Sequence, residues 1–134
     1  MRVLDIGANV GYFTLLAASL IGAEGFVYSW EPSPANVKRL YASQLLNEFS
    51  NIAIMQAAAT DKTSLLKYFR NHSNGNAAEL TGMTSQDMSS LETIMGLRID
   101  DFISPDIHLD FVKIDVEGFE AEVIRGCSHH LKLL

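Results

Sequence analysis

The stretch that decides the fold reads VLDIGANVGYFTLLAASLIG, residues Val3–Gly22. An apolar run meets Asp5, passes through Gly7 and Gly11, and goes on with apolar residues at helical spacing. The segment RVLDIG (2–7) predicts a short buried strand. From about Gly11 to Ile21 the spacing predicts a helix with Phe13, Leu16, Ala17 and Leu20 on one face, stopped by Gly22. In the turn between them, glycine allows positive φ and close approach of a ligand to the main chain. The amides that open the following helix favour a carboxylate or phosphate. The glycines are spaced G-x-x-x-G, which does not fit the dinucleotide fingerprint G-x-G-x-x-G, and the P-loop lysine is absent. Asp5 would repel a pyrophosphate and suits a ligand that presents an amine or another cation. Taken alone, the loop also admits a plainer reading, a tight turn with Asp5 bonded to local amides.

Working outward, GFVYSWEP predicts a second strand that ends at Glu31. Ser33 then caps a helix with Pro34 at its first position, and Val37, Leu40, Tyr41, Leu45 and Phe49 recur at helical spacing to about Phe49. NIAIMQAAA (51–59) reads as a third strand and SLLKYFR as another, followed by a polar loop of 20 residues, NHSNGNAAELTGMTSQDMSS. A loop of that length in a compact domain is usually functional or disordered. TIMGLRIDDFI adds a short strand and a turn, LDFVKIDVEG (109–118) a further strand, and FEAEVIRGCSHHLKLL starts a helix. Strands alternating with helices predict parallel βαβ units in an open, doubly wound α/β sheet. Ligands of such sheets bind beyond the carboxyl ends of the strands, where the strand order reverses.

Glu31 closes the second strand 20 positions after Gly11, where an acid can accept hydrogen bonds from both hydroxyls of a ribose. Alone it would read as a strand-end charge beside Pro32; with the glycine loop at this distance the ribose reading prevails. Asp5 for an amine, helix amides for a carboxylate and Glu31 for a ribose describe a nucleoside amino acid, which S-adenosylmethionine fits.

The bulk properties agree. The 134 residues suggest a single domain, 1–134, and 48% apolar against 19% charged residues is enough to bury a core. The formal net charge of −6 argues against nucleic acid as a partner, since phosphate-backbone binding needs a basic surface. No run of 18 apolar residues suggests a membrane span, and a strand-like segment directly after Met1 leaves no signal-peptide layout. Cys127 is the only cysteine, which excludes an internal disulfide and fits a reducing, cytoplasmic compartment.

In order, LDIGANVGYFTLLAA, EPSPANVKRL, AAATD and VKIDVEGFEAEVIRG resemble the FkbM-like methyltransferases, which are class I S-adenosylmethionine-dependent enzymes with a Rossmann-like fold. The resemblance covers most of the chain, and the combination of DIGANVG, EP and KIDVEG carries its specificity. It implies O-methylation, often of sugar or polyketide hydroxyls. Asp5, Gly7, Asn9 and Gly11 match the cofactor loop, with Asn9 and Thr14 as contacts to the methionine end. Glu31 matches the ribose-binding acid, and Ala58, beside Asp61, falls where such enzymes contact the adenine. Asp115 and Glu117 lie at the end of the fourth strand, facing the methyl-donor side. The aromatic N/D-P-P-Y tetrapeptide of many amine methyltransferases is missing there, which disfavours a nitrogen acceptor. A full sheet of that class has seven strands, whereas four that belong to it are counted here. The expectation is therefore a core truncated after its fourth strand, whose open edge is covered by a missing segment or by a second copy.

Methyl transfer to a hydroxyl needs positioning and a base within hydrogen-bond reach. Asp115 and Glu117 are the candidates for that base or for orienting the acceptor. Period-2 spacing puts Lys113, Asp115 and Glu117 on one side of the strand, where the lysine can pair with a carboxylate. The two carboxylates could instead hold Mg²⁺, and Glu117 could simply serve the first turn of the next helix. His72 lies in the long loop. His129 and His130 have no carboxylate or cysteine at ligand spacing, and Cys127 has no nucleophile context. Two competing functions remain: a nucleotide-binding oxidoreductase, which Asp5 and the glycine spacing oppose, and a cofactor-binding or interaction remnant without catalytic activity.

Overall fold

The computed structural model describes residues 1–70, 75–77 and 91–132. In chain order the elements are β1 (Arg2–Ile6), α1 (Tyr12–Ile21), β2 (Phe26–Trp30), α2 (Pro34–Leu46), β3 (Ile52–Met55), β4 (Ala58–Ala59), β5 (Ser64–Arg70), β6 (Gly75–Ala77), β7 (Leu91–Leu97), β8 (Phe111–Ile114), α3 (Glu120–Gly126) and α4 (Ser128–Leu131). A 3₁₀ turn, Ile99–Asp101, follows β7.

The first sheet is parallel throughout, in the order β3-β2-β1-β8. From β1 the chain winds outward through α1, β2, α2 and β3, then returns to place β8 on the other side of β1. The strand order thus reverses between β1 and β8. The second sheet, β4-β7-β5-β6, pairs β4 with β7 in parallel and β5 with both β7 and β6 antiparallel.

Strand alternation divides the core in two. Val3, Val27 and Ile52 pack with Ala18 on the α1 face, while Leu4, Ile6 and Trp30 meet Leu97, Ile99, Val123 and Cys127 on the other. Ser33 caps α2 by accepting from the Asn36 N–H at 3.5 Å, and Pro34 occupies the first helical turn, as the sequence predicts. At the start of α3, Glu120 reaches back to the Gly118 N–H at 3.0 Å; its own N–H and that of Gly118 hold its carboxyl below the ordinary range. Glu120 thus makes a helix-start contact of the kind that was one of the readings for Glu117.

Several sequence expectations are corrected. The single strand expected over 51–59 is split: β3 ends at Met55, and β4 joins the other sheet. The strand expected over 109–118 pairs only as Phe111–Ile114, because β1 stops at Ile6, the partner of Ile114. The α2 helix ends at Leu46, not near Phe49, with Tyr41 and Leu45 turned outward. Within the expected 20-residue loop, Gly75–Ala77 forms β6, whereas His72 and the residues 78–90 lie outside the described residues.

The largest correction concerns α1. Its buried residues are Thr14 and Ala18, whereas Phe13, Leu16 and Leu20 are 51%, 44% and 76% exposed. With Met1 and Phe111 they line an apolar groove of about 600 Å³ beside β8, whose outer edge has no partner strand among the described residues. Among the described residues, no helix is long and apolar enough to cross a membrane.

Candidate functional site

A cleft of about 180 Å³ opens where the strand order reverses, at the carboxyl ends of the parallel strands. Four segments meet there: Ile6, Gly7 and Asn9 at the end of β1, Trp30–Pro32 at the end of β2, Ala57–Ala59 after β3, and Asp115–Glu117 after β8. Asn36 of α2, Tyr68 of β5 and Phe119 complete the wall. The lining combines polar residues (Asn9, Glu31, Asn36, Asp115, Glu117) with apolar and aromatic ones.

Glu31 anchors the polar part. It is 5% exposed, and its carboxylate accepts three hydrogen bonds: from the Asn9 N–H at 2.8 Å, the Ser33 N–H at 2.9 Å and the Asn36 Nδ2 at 3.2 Å. A carboxylate offers about four lone-pair sites, so Glu31 can accept one more donor as it stands, or two if Asn36 yields. Asn9 reaches it by adopting a left-handed backbone, φ 53°.

The two glycines serve the packing of the chain. A Cβ on Gly7 would lie 1.9 Å from the Asp115 carbonyl oxygen, and one on Gly11 would lie 2.1 Å from Leu40 Cδ1. Their φ values of 78° and 94° also need glycine. Gly7 thereby lets the β1–α1 loop touch the end of β8, and Gly11 lets α1 approach α2. The loop amides are used internally as well. Gly7 and Ala8 donate to the Trp30 carbonyl, Asn9 to Glu31, and Gly11 to the Ala8 carbonyl.

Asp5, expected to meet a ligand amine, meets a lysine of its own chain. It is 1% exposed; one carboxylate oxygen accepts from Thr14 Oγ1 at 2.6 Å and the other from Lys113 Nζ at 2.9 Å. Thr14, fully buried, also contacts Ser29 Oγ at 3.1 Å. The Lys113 ammonium donates further to the Gly7 carbonyl at 3.3 Å, stands 3.9 Å from Asp115, and sits 5.0 Å from the centre of the Phe13 ring. Asp5, Thr14 and Gly11 therefore form the buried underside of the loop and do not line the cleft, whereas Gly7 and Asn9 do. Asp61 is also outside it, 3.4 Å from the Arg125 guanidinium; Ala58 lines it. Asp115 and Glu117 both reach the cleft. Past Ile114 the strand alternation ends, and Glu117 turns through φ 48°, so the shared face expected of Lys113, Asp115 and Glu117 does not extend that far.

Sequence reasoning missed Trp30, Asn36, Tyr68 and Phe119 as cleft residues. Asn36 carried a signal, since its place just inside the Ser33 cap brings it beside Glu31. Tyr68 carried none, because its position depends on the second sheet. A further cluster was hidden by sequence distance: Asp100, Cys127 and His130 bring donor atoms within 4.8 Å of one another. His130 Nδ1 lies 2.9 Å from one Asp100 oxygen, and the other accepts from Arg98 and from the His129 N–H. Burial acts to raise the Asp100 carboxyl, but these hydrogen bonds, from His129 and His130, and the Arg98 charge hold it below its ordinary range. Burial, with the Asp100 charge nearby, pushes the Cys127 thiol up to about 12.

Comparison with known proteins places this geometry. The chain aligns with the crystal structure of the methyltransferase FkbM from Methylobacillus flagellatus at 21% identity and a TM-score of 0.68, over 97% of this chain and 29% of that one. A protein from Clostridium thermocellum described as a candidate rRNA methylase aligns at 15% identity and a TM-score of 0.60, over 99% of this chain and 53% of that one. A SAM-dependent methyltransferase from Aquifex aeolicus aligns at 21% identity over 42% of this chain and 30% of that one, with a TM-score of 0.40. The chain thus spans less than a third of the Methylobacillus protein and about half of the Clostridium one. No curated protein sequence matches it. The profile of the methyltransferase FkbM domain matches residues 5–133, nearly the whole chain, so the chain belongs to the FkbM family of S-adenosylmethionine-dependent methyltransferases.

Proposed function

We propose that this domain holds S-adenosylmethionine in the cleft and transfers its methyl group to a hydroxyl of a small molecule or glycan. The observation that carries this reading is the Glu31 cradle. A nearly buried carboxylate, fixed by two backbone N–H groups and Asn36, lies in the cleft at the reversal point with accepting capacity to spare. The lining fits the cofactor: an acid for ribose hydroxyls, apolar and aromatic side chains for a base, and the carboxylates of Asp115 and Glu117. When bound, the cofactor supplies a sulfonium methyl group open to in-line displacement.

The residues of the chain bind, orient and take up a proton. Glu31 accepts from the ribose, and Ala58, Val116 and Phe119 exclude water from the base. Asp115 lies at the rim with its side chain 67% exposed and Lys113 as a cationic neighbour 3.9 Å away. It accepts the proton of the attacking hydroxyl, while Glu117 orients the acceptor. Holding donor and acceptor in register is worth up to ~7–11 kcal/mol, and a positioned base contributes roughly 10²–10⁴-fold. Asp5 drops out of the ligand-binding set, since Thr14 and Lys113 already occupy its carboxylate. The net charge of −6 favours a neutral acceptor over a nucleic acid.

Incubation with S-adenosylmethionine labelled on the methyl group, across a panel of sugar and polyol hydroxyls, tests the reading. The expected result is transfer that falls about 10²-fold or more in Asp115→Asn, with S-adenosylhomocysteine affinity retained. Transfer confined to amines, or undiminished in the variant, would overturn the assignment. An unchanged rate in a chelator would separate the proton-acceptor role from the Mg²⁺ alternative.

A further inference from the structure

The indole of Trp30 stands out in the cleft. Trp30 is 3% exposed and lines the cavity, yet its Nε1–H has no hydrogen-bond partner among the described residues. A buried donor left unpaired costs the full desolvation of its N–H, and nearly all such groups in folded proteins find a partner. Several of the side chains that share the cleft wall with it, Ile6, Ala57–Ala59, Val116 and Phe119, carry no acceptor. The carboxylate of the next residue in the chain, Glu31, accepts from Asn9, Ser33 and Asn36 and not from the indole. The cleft thus combines apolar and aromatic wall residues with the unpaired indole N–H of Trp30. That combination suits a flat heteroaromatic ring that carries an acceptor nitrogen.

We propose that the Trp30 indole N–H donates to a ring nitrogen of the purine in the bound ligand, making Trp30 a specificity-determining residue for the base. The proposal rests on the cofactor reading above and adds to it a residue and an atom. Trp30 belongs at once to the core cluster on the α3 face and to the cleft wall, so the strand that positions Glu31 for the ribose also positions the donor for the base. The free protein carries an unsatisfied group there, and the ligand removes it.

Trp30 is the only tryptophan in the chain, so its emission reports occupancy of this site directly. The test titrates the purified chain with S-adenosylhomocysteine, following emission and heat, and repeats the heat measurement with Trp30→Phe, which keeps an aromatic ring and removes the donor. Wild type and variant are also titrated with three analogues in which purine N1, N3 or N7 is replaced by C–H. The expected results are a shift in Trp30 emission on binding and an affinity about five- to tenfold weaker in Trp30→Phe, the size of one buried hydrogen bond. One deaza analogue should lose as much on the wild type and lose nothing further on the variant. The analogue series on unaltered protein reads the same bond even if the variant folds poorly. A merely structural Trp30 would lower the melting temperature and weaken all three analogues alike. Wild-type binding that Trp30→Phe leaves within twofold, or losses that add for every analogue, would overturn the Trp30 assignment alone. No binding of S-adenosylhomocysteine by folded wild-type chain would overturn both it and the cofactor reading.

Discussion

Replacing Lys113 by methionine keeps an unbranched apolar side chain and removes the ammonium that pairs with Asp5. The Asp5 side chain is 2% exposed and that of Lys113 18%, with 2.9 Å between the charged atoms. Removing one partner of a buried pair typically costs about 3–5 kcal/mol, because the other charge is left uncompensated. Asp5 keeps its bond from Thr14, and the site retains some access to solvent on the Lys113 side, so the lower end applies, about 3 kcal/mol. At 1.4 kcal/mol per tenfold, that lowers the folding equilibrium by somewhat more than 100-fold. Urea unfolding followed by far-ultraviolet circular dichroism would show a lower midpoint at unchanged slope. Asp5→Asn combined with Lys113→Met should recover much of the loss, since neither charge is then stranded. A Lys113→Met variant within 1 kcal/mol of wild type, or strictly additive effects in the double variant, would refute the claim that Asp5 is held by its own chain.

Two further expectations concern the cluster beneath α4. Asp100 has a lowered carboxyl in the folded chain, so it contributes stability above its unfolded value of 3.8 and loses that contribution as pH falls through the lower folded value. The stability difference between wild type and Asp100→Asn should therefore be constant near neutrality and narrow below about pH 4, as measured by urea titrations at stepped pH; a constant gap down to pH 2 would contradict this. The Cys127 thiol, fully buried and pushed up to about 12, should resist a thiol reagent at pH 8 in the native chain and react at once in denaturant. Labelling of the native chain within minutes would show that the site opens.

Much of the fold was legible because its signals are local. The run β1–α1–β2–α2 is marked by Gly7, Gly11, Gly22, Ser33 and Pro34, whose turn and cap signals can be read from the residues beside them. The cleft was legible in part: of the residues expected at the site from the glycine loop, the strand ends and the family resemblance, Gly7, Asn9, Glu31, Ala58, Asp115 and Glu117 line it. What failed depended on distant partners. Asp5 looked free for a ligand because the lysine that occupies it lies 108 positions away. NIAIMQAAA looked like one strand because nothing in an apolar run says where it changes sheet. The Phe13, Leu16 and Leu20 stripe looked like a buried face because α1 also carries apolar Leu15, Ala18 and Ile21, and periodicity cannot tell which side the sheet will cover. Glu117 was extrapolated along a strand that ends at Ile114, where its partner β1 turns away at Gly7.

The central claim is that the Glu31 cradle holds the ribose of S-adenosylmethionine. Calorimetric titration of the chain with S-adenosylmethionine, alongside Glu31→Gln with its melting temperature recorded, tests it most directly. The account predicts saturable binding by wild type and an affinity at least about tenfold weaker in a folded Glu31→Gln, as expected when a charged acceptor of ligand hydroxyls is neutralised. Equal affinity in the two proteins, or no binding by a folded wild-type chain, would contradict it.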